Sequence, residues 1–177
     1  MSKRRIALIT TGGTIEKTYD EFSGLLSNQI SVLDVMLASL ELNGVDIERL
    51  SLMNKDSLDM SPGEHALIAE KAAEMAGECE GVVIVHGTDR LAITGEILHE
   101  RLGTPAVPII LTGAMRPWEL RRTDALQNLT EALMAVQLVQ PGVYAVMHNQ
   151  VLRFPGVVKD TARGSFVLAA ASGAEEK

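Results

Sequence analysis

Hydrophobic positions along the chain fall into two alternating patterns. Residues 6–9, 82–85 and 107–111 are short, nearly unbroken apolar runs, and 143–147 is a fourth strand-like run. Residues 45–53 alternate apolar and polar positions, as a half-buried strand does. Between these runs, apolar residues recur every three or four positions. Leu33, Leu37 and Leu40 do so within 31–42. Residues 91–102 read as a second such helix, with Gly103 a suitable stop. Residues 124–139 form the longest helical pattern, with Leu126, Leu129, Leu133 and Val136 on one face and Pro141-Gly142 closing it. Ser61-Pro62-Gly63-Glu64 predicts a further helix start. Ser61 caps, Pro62 suits the first helical position, and Glu64 completes a capping box, with the helix running through Met75 to about Gly77. Asp124 and Gln127 share that cap spacing.

Strands therefore alternate with helices, and the unbroken strands have no polar face. That pattern predicts an α/β fold: a single domain with a mostly parallel β-sheet and helices on both faces, a Rossmann/flavodoxin-like three-layer sandwich. The expected domain spans 1–168, and 169–177 reads as a short, frayed C-terminal tail of small and charged residues. A chain of 177 residues fits one domain. It buries roughly 70% of its unfolded surface and needs no covalent or metal staple.

Composition narrows the function classes. The single cysteine, Cys79, excludes an internal disulfide framework and a Cys-based zinc site. His65, His99 and His148 are scattered without ligand spacing, so no metal is expected. A net charge of −7 counts against nucleic acid and anionic membrane as partners, and Lys3-Arg4-Arg5 is too short to reverse that. Residues 6–9 are too few for the apolar core of a signal peptide, and no run approaches a membrane span. A cytoplasmic protein is expected.

The chemistry gathers where strands end. Thr10-Thr11-Gly12-Gly13-Thr14 follows the first strand, His86-Gly87-Thr88-Asp89 the second buried run, and Thr112-Gly113-Ala114-Met115-Arg116-Pro117 the third. In a parallel sheet these carboxyl ends share one edge, the usual ligand edge of open α/β sheets. Neither a phosphate loop nor a dinucleotide fingerprint is present. No cofactor is implied. Taken singly, the residues have plain readings: Thr14 caps a turn, Thr88 and Asp89 cap a helix, Ser57 is a loop hydroxyl and Lys159 a surface lysine. His86 orients its turn. Arg116 and Asp124 read as structural, through an ion pair or a helix cap, and Trp118 as a cover over the loop or an interface.

The three motifs together, in this order and spacing, resemble the N-terminal domain of the bacterial-type L-asparaginase family over about 5–166. Asp56-Ser57-Leu58-Asp59-Met60 is similar to that family's loop for the substrate α-carboxylate, and 151–159 to the segment ending in its catalytic lysine. The resemblance implies hydrolysis of L-asparagine to L-aspartate and ammonia through a threonine nucleophile and an acyl-enzyme, with low activity on L-glutamine. It implies Thr14 as primary nucleophile and Tyr19 as the mobile-loop tyrosine that activates it. Thr88, Asp89 and Lys159 would form a second catalytic cluster. Gly13, Ser57, Leu58, Gly87, Thr88, Asp89 and Ala114 would line the substrate site. Which of Thr14 and Thr88 attacks first stays open.

Three departures from the family pattern shape the expectations. Family members usually carry a C-terminal domain, from which a neighbouring subunit supplies an acidic residue. This chain reads either as a short-chain branch without that domain or as a truncated chain, and a homodimer or homotetramer would have to complete the site. Leu58 stands where a glutamine can hold the α-amino group, which predicts weak substrate binding. Tyr19 follows Thr14 closely, in a loop made acidic by Glu16, Asp20 and Glu21, with Gly24 as a hinge. Two other functions fit the same residues. One is a non-catalytic amino-acid sensor that keeps Ser57 and Asp89. The other is the amidase subunit of a larger amidotransferase, which needs a partner chain.

Overall fold

Each apolar run becomes a strand whose successive side chains enter two different cores. The structure, a computed structural model, describes residues 3–29 and 31–169. All of the predicted tail except Ala169 lies outside the described residues. The elements follow one another as β1 (Arg4–Gly12), β2 (Thr18–Asp20), β3 (Leu25–Ser27), α1 (Leu33–Ala38), β4 (Val45–Lys55), α2 (Pro62–Ala76), β5 (Gly81–Val85), α3 (Leu91–Leu102), β6 (Pro108–Thr112), α4 (Ala125–Leu138), β7 (Gly142–Met147), β8 (Gln150–Arg153), β9 (Val157–Asp160) and β10 (Ser165–Leu168).

Six strands form one sheet in the order β4-β1-β5-β6-β7-β8, parallel except for the antiparallel edge strand β8. Ala7, Ile9, Val82, Ile84, Ile109 and Leu111 join a core with Ile68 and Ala72 of α2 and Leu91 and Leu98 of α3. Their neighbours Ile6, Leu8, Val83, Val85 and Ile110 join the opposite core with Met36 of α1 and Leu129 and Leu133 of α4. This period of two explains why the runs are apolar throughout. Both faces are covered, and each fully buried side chain of this size stabilises the fold by about 1.5–3 kcal/mol.

The chain leaves β1 to one side for β4 and returns to the other side for β5. The carboxyl ends of β1 and β5 thus flank a topological switch point. A register shift near that end pairs Thr10 with Ser51 but Gly12 with Lys55. β4 thus carries extra residues opposite β1 just before the turn Ser57–Asp59, which packs on Gly87.

Several details differ from the sequence expectations. The first helix covers only Leu33–Ala38, because the Ser39 hydroxyl and backbone N–H both donate to the Met36 carbonyl and close its last turn early. Leu40 still packs against the α1–α4 core without being helical. The β2–β3 hairpin, β8 and the β9–β10 hairpin are elements the periodicity did not resolve. They run for only three or four residues each. The capping box at Ser61 and Glu64 forms with both reciprocal bonds. The one at Asp124 does not: that side chain makes no cap bond.

Candidate functional site

The sheet order brings the glycine-rich turns into direct contact. Gly13 adopts φ 82°, and a methyl group there would stand 2.4 Å from Gly87 Cα. A methyl group on Gly87 would stand 2.5 Å from Ser57 Oγ, and one on Gly113 2.3 Å from the His86 carbonyl oxygen. Those separations are far below a carbon contact, so only glycine lets the turns after β1, β4, β5 and β6 close on one another. Asn28 Nδ2, just after β3, donates to the Gly13 carbonyl and holds the first turn from the side of the β2–β3 hairpin.

On this base the β9–β10 hairpin lays a lysine. Lys159 Nζ donates to Thr88 Oγ1 at 2.9 Å and to Asp89 Oδ1 at 2.7 Å, across about seventy residues of sequence. In this pairing the lysine nitrogen donates and the Thr88 hydroxyl oxygen accepts. Thr88 is buried, whereas the Asp89 side chain is 43% exposed. Thr14, half-buried, opens a short 3-10 turn directly after Gly13. Its hydroxyl has no hydrogen-bond partner among the described residues.

The other candidate residues are placed with different degrees of engagement. Ser57 is fully buried, and its Oγ accepts from the Arg90 N–H at 3.3 Å. Leu58, next to it, is exposed. Asp56 pairs with Lys17 at 2.6 Å, tying the loop after Thr14 to the Ser57 turn. Burial pushes the Asp56 carboxyl up, but Lys17, the Leu58 N–H and the charge of Lys159 outweigh it and leave the carboxyl below its ordinary range. Tyr19 sits on β2, mostly exposed, and its N–H donates to the Glu119 carboxylate. The cleft it lines, with Val32, Trp118 and Glu119, includes none of Thr14, Ser57, Thr88, Asp89 or Lys159. Trp118 packs partly against the α1–α4 core and donates its backbone N–H to the Ile15 carbonyl.

The loop after β6 is held by a buried carboxylate. Asp124 accepts from the Met115 N–H at 3.0 Å, the Arg116 N–H at 2.9 Å, Asn128 Nδ2 at 2.9 Å and His148 Nε2 at 2.7 Å. Burial pushes its pKa up, but the Met115 N–H, His148 and the Arg116 N–H together hold it below the ordinary value. Asn128 Nδ2 also donates to the Gly113 carbonyl at 2.9 Å. Asp124 is therefore the anchor of the turn that carries Ala114: of the two structural roles expected for it, the ion pair with Arg116 is present, Nε lying 3.6 Å from Oδ1, and the helix cap is not. His86 does orient its own turn: its Nδ1 lies 2.8 Å from the Gly87 carbonyl oxygen. Among the described residues, no three His, Cys, Asp or Glu side chains gather as a metal-ligand set. No helix there is long and apolar enough to cross a membrane.

The family model for the asparaginase N-terminal domain matches residues 5–168. The chain belongs to the asparaginase family. An L-asparaginase of Thermococcus kodakarensis is 31% identical over 150 residues, covering 84% of this chain and 45% of that protein. A glutamyl-tRNA(Gln) amidotransferase subunit of Methanococcus vannielii is 33% identical over 150 residues, covering 84% of this chain and 35% of that protein. The structure of the thermostable L-asparaginase from Thermococcus kodakarensis superposes with a TM-score of 0.84 at 30% identity, covering 93% of this chain and 51% of that one. A probable cytoplasmic L-asparaginase from Campylobacter jejuni gives a TM-score of 0.75 at 31% identity, with 89% and 48% covered. This asparaginase-family chain thus spans about half the length, or less, of the relatives it matches.

Several supports of the site escaped the sequence reading. Asn28, Asn128, His148 and Thr94 all hold its turns or their neighbours. Asn128 and Thr94 carried a usable signal, since each is a polar residue at a buried position of a helix. Asn28 and His148 lie in loops and carried none.

Proposed function

We propose that this chain forms the nucleophile-bearing part of an amidohydrolase that converts L-asparagine to L-aspartate and ammonia. The observation that supports this most is the pairing of Lys159 with Thr88 and Asp89, at the sheet edge where the turn of Thr14 packs on Gly87. Thr14 Oγ attacks the side-chain amide carbon while its proton passes by way of the Thr88 hydroxyl to the Lys159 amine, which acts as the base. The C–N bond breaks as the nitrogen takes a proton and leaves as ammonia, which leaves an ester on Thr14. Water adds to that ester, the C–O bond to Thr14 breaks, and L-aspartate departs. Asp89, with its exposed face, binds the substrate α-ammonium. Ser57 marks the α-carboxylate end, and the Ala114 carbonyl accepts from the scissile amide. Tyr19 serves as a lid residue that reaches Thr14 only after the β2–β3 hairpin moves. L-Glutamine, one methylene longer, is a poorer substrate by about 1–3 kcal/mol.

The protein acts in the cytoplasm as a homodimer or homotetramer. The test is ammonia release from L-asparagine and L-glutamine by purified protein, with Thr14→Ala and Lys159→Met as controls. Release from asparagine that both variants lose is the expected result. Release that survives Thr14→Ala refutes the nucleophile assignment. The amidotransferase relatives favour one second reading, an amidase subunit working with a partner chain. That reading predicts release only when such a partner is added. Binding of L-asparagine with no release under either condition would instead mark a sensor domain.

A further inference from the structure

The helix-facing side of the site holds three polar groups that the proposed chemistry leaves unused. His86 follows β5, Thr94 stands on α3 and His65 on α2, and all three are buried. They lie in file. His86 Nδ1 is 2.8 Å from the Gly87 carbonyl oxygen, and His86 Nε2 is 2.8 Å from Thr94 Oγ1. Thr94 Oγ1 is in turn 2.7 Å from His65 Nδ1. The two imidazoles stack with centroids 6.0 Å apart.

One proton arrangement satisfies this file. A carbonyl oxygen only accepts, so His86 carries its proton on Nδ1. Burial pushes the His86 pKa down to about 4, so the ring is neutral and Nε2 is bare. Nε2 therefore accepts from the Thr94 O–H. That hydroxyl has no second proton, so its oxygen accepts from His65 Nδ1–H. His65 Nε2 is then bare, and it is buried without a partner among the described residues.

We infer that His65 and Thr94 are positioning residues that act through His86 on the Gly87–Thr88 peptide. The peptide unit is planar and rigid, so a fixed Gly87 carbonyl fixes the entry to Thr88, whose hydroxyl meets Lys159. Gly13 and Ser57 press on Gly87 by shape alone, whereas the imidazole supplies directional hold. The effect on rate rests on the amidohydrolase reading, but the geometry does not.

The test has one arm that needs no turnover. Nitrogen-15 imidazole spectra of the wild-type protein at neutral pH should show His65 and His86 both neutral and both protonated on Nδ1. An Nε2-protonated or doubly protonated ring at either position overturns the file. In Thr94→Val the Thr88 amide resonance should shift, and in Thr94→Ser it should return. An unmoved Thr88 amide overturns the positioning role. In the kinetic arm, Thr94→Val should lower kcat about tenfold with KM within about twofold, and Thr94→Ser should restore kcat. Wild-type kcat in Thr94→Val overturns the role as well. Absence of ammonia release from the wild type defeats the amidohydrolase reading alone, and the spectra then decide the file.

Discussion

Replacing Gly95 by alanine should destabilise the protein, although helix propensity alone argues the reverse. Gly95 lies in the second turn of α3 and faces Phe154, a ring 2% exposed in the α2–α3 core. A methyl group at Gly95 would stand 2.0 Å from Phe154 Cζ, 2.4 Å from Cε1 and 2.5 Å from Cε2. Ordinary carbon contacts lie at about 3.5–4.0 Å, so the ring must withdraw by about 1.5 Å or leave its rotamer. Overpacking costs about 1–3 kcal/mol, and an approach this close to a buried ring belongs in the upper part of that range, at about 2–3 kcal/mol. Alanine returns about 1 kcal/mol by favouring the helix. The net loss is about 1–2 kcal/mol, or a melting point lower by about 2–8 °C for a chain of this size. Phe154 also begins the segment that leads to β9, so its displacement should move Lys159 off Thr88 and lower kcat more than it raises KM. The assay is urea unfolding of the wild type, Gly95→Ala, Phe154→Leu and the double variant. A smaller side chain at 154 relieves the clash, so the double variant should be more stable than additivity predicts by about 1 kcal/mol or more. A Gly95→Ala protein as stable as the wild type, or strict additivity in the cycle, refutes the reasoning.

Further expectations concern the carboxylates and the substrate loop. Asp124→Asn leaves the Met115 and Arg116 N–H groups competing for one neutral oxygen and should cost about 3 kcal/mol in urea unfolding at neutral pH. Because the Asp124 pKa is lowered in the fold, its stabilisation is present above the ordinary aspartate range and lost as pH falls through the folded value. The gap between wild type and variant should therefore narrow in acid, and a gap independent of pH contradicts the anchor role. Glu16 is fully buried, and burial raises its pKa against the opposing bonds from the Ser31 hydroxyl and the Gly12 backbone. Its folded form favours the proton, so the stability it confers is present at low pH and lost as pH rises through that raised value. Glu16→Gln should accordingly gain more stability over wild type at pH 8 than at pH 4, and equal gains would defeat this. Leu58→Gln restores one hydrogen bond worth about 1 kcal/mol and should lower the KM for L-asparagine about fivefold. An unchanged or higher KM shows that this exposed position does not touch the substrate.

Much of the fold was legible because its signals are local. Val82, Val83, Ile84 and Val85 form an unbroken run only because α2 and α3 cover one face and α1 and α4 the other. Ser61 and Glu64 announce a helix start because both capping bonds lie within one turn. The spacing at Asp124 and Gln127 made the same local promise and misled. A carboxylate that accepts from the loop ahead of α4 and from His148 beyond it satisfies longer-range donors that spacing cannot express. The short hairpins β2–β3 and β9–β10 were unread for a related reason. Three or four residues give too little alternation, and their stability comes from what they pack on.

Local order along the chain was enough for the layered α/β plan, the glycine-rich turns at the strand ends and the family to which the chain belongs. All of these depend on neighbours within a few residues or on motifs kept in order. Folding in three dimensions was needed to show that Gly13, Gly87, Ser57 and Gly113 press together, that Lys159 reaches Thr88 and Asp89, and that His65 and Thr94 stand behind His86. Apart from Thr94 and His86, eight positions apart, those contacts join residues separated by tens of positions. They exist because the chain crosses from one side of β1 to the other, and that crossing sets the carboxyl ends of four strands side by side.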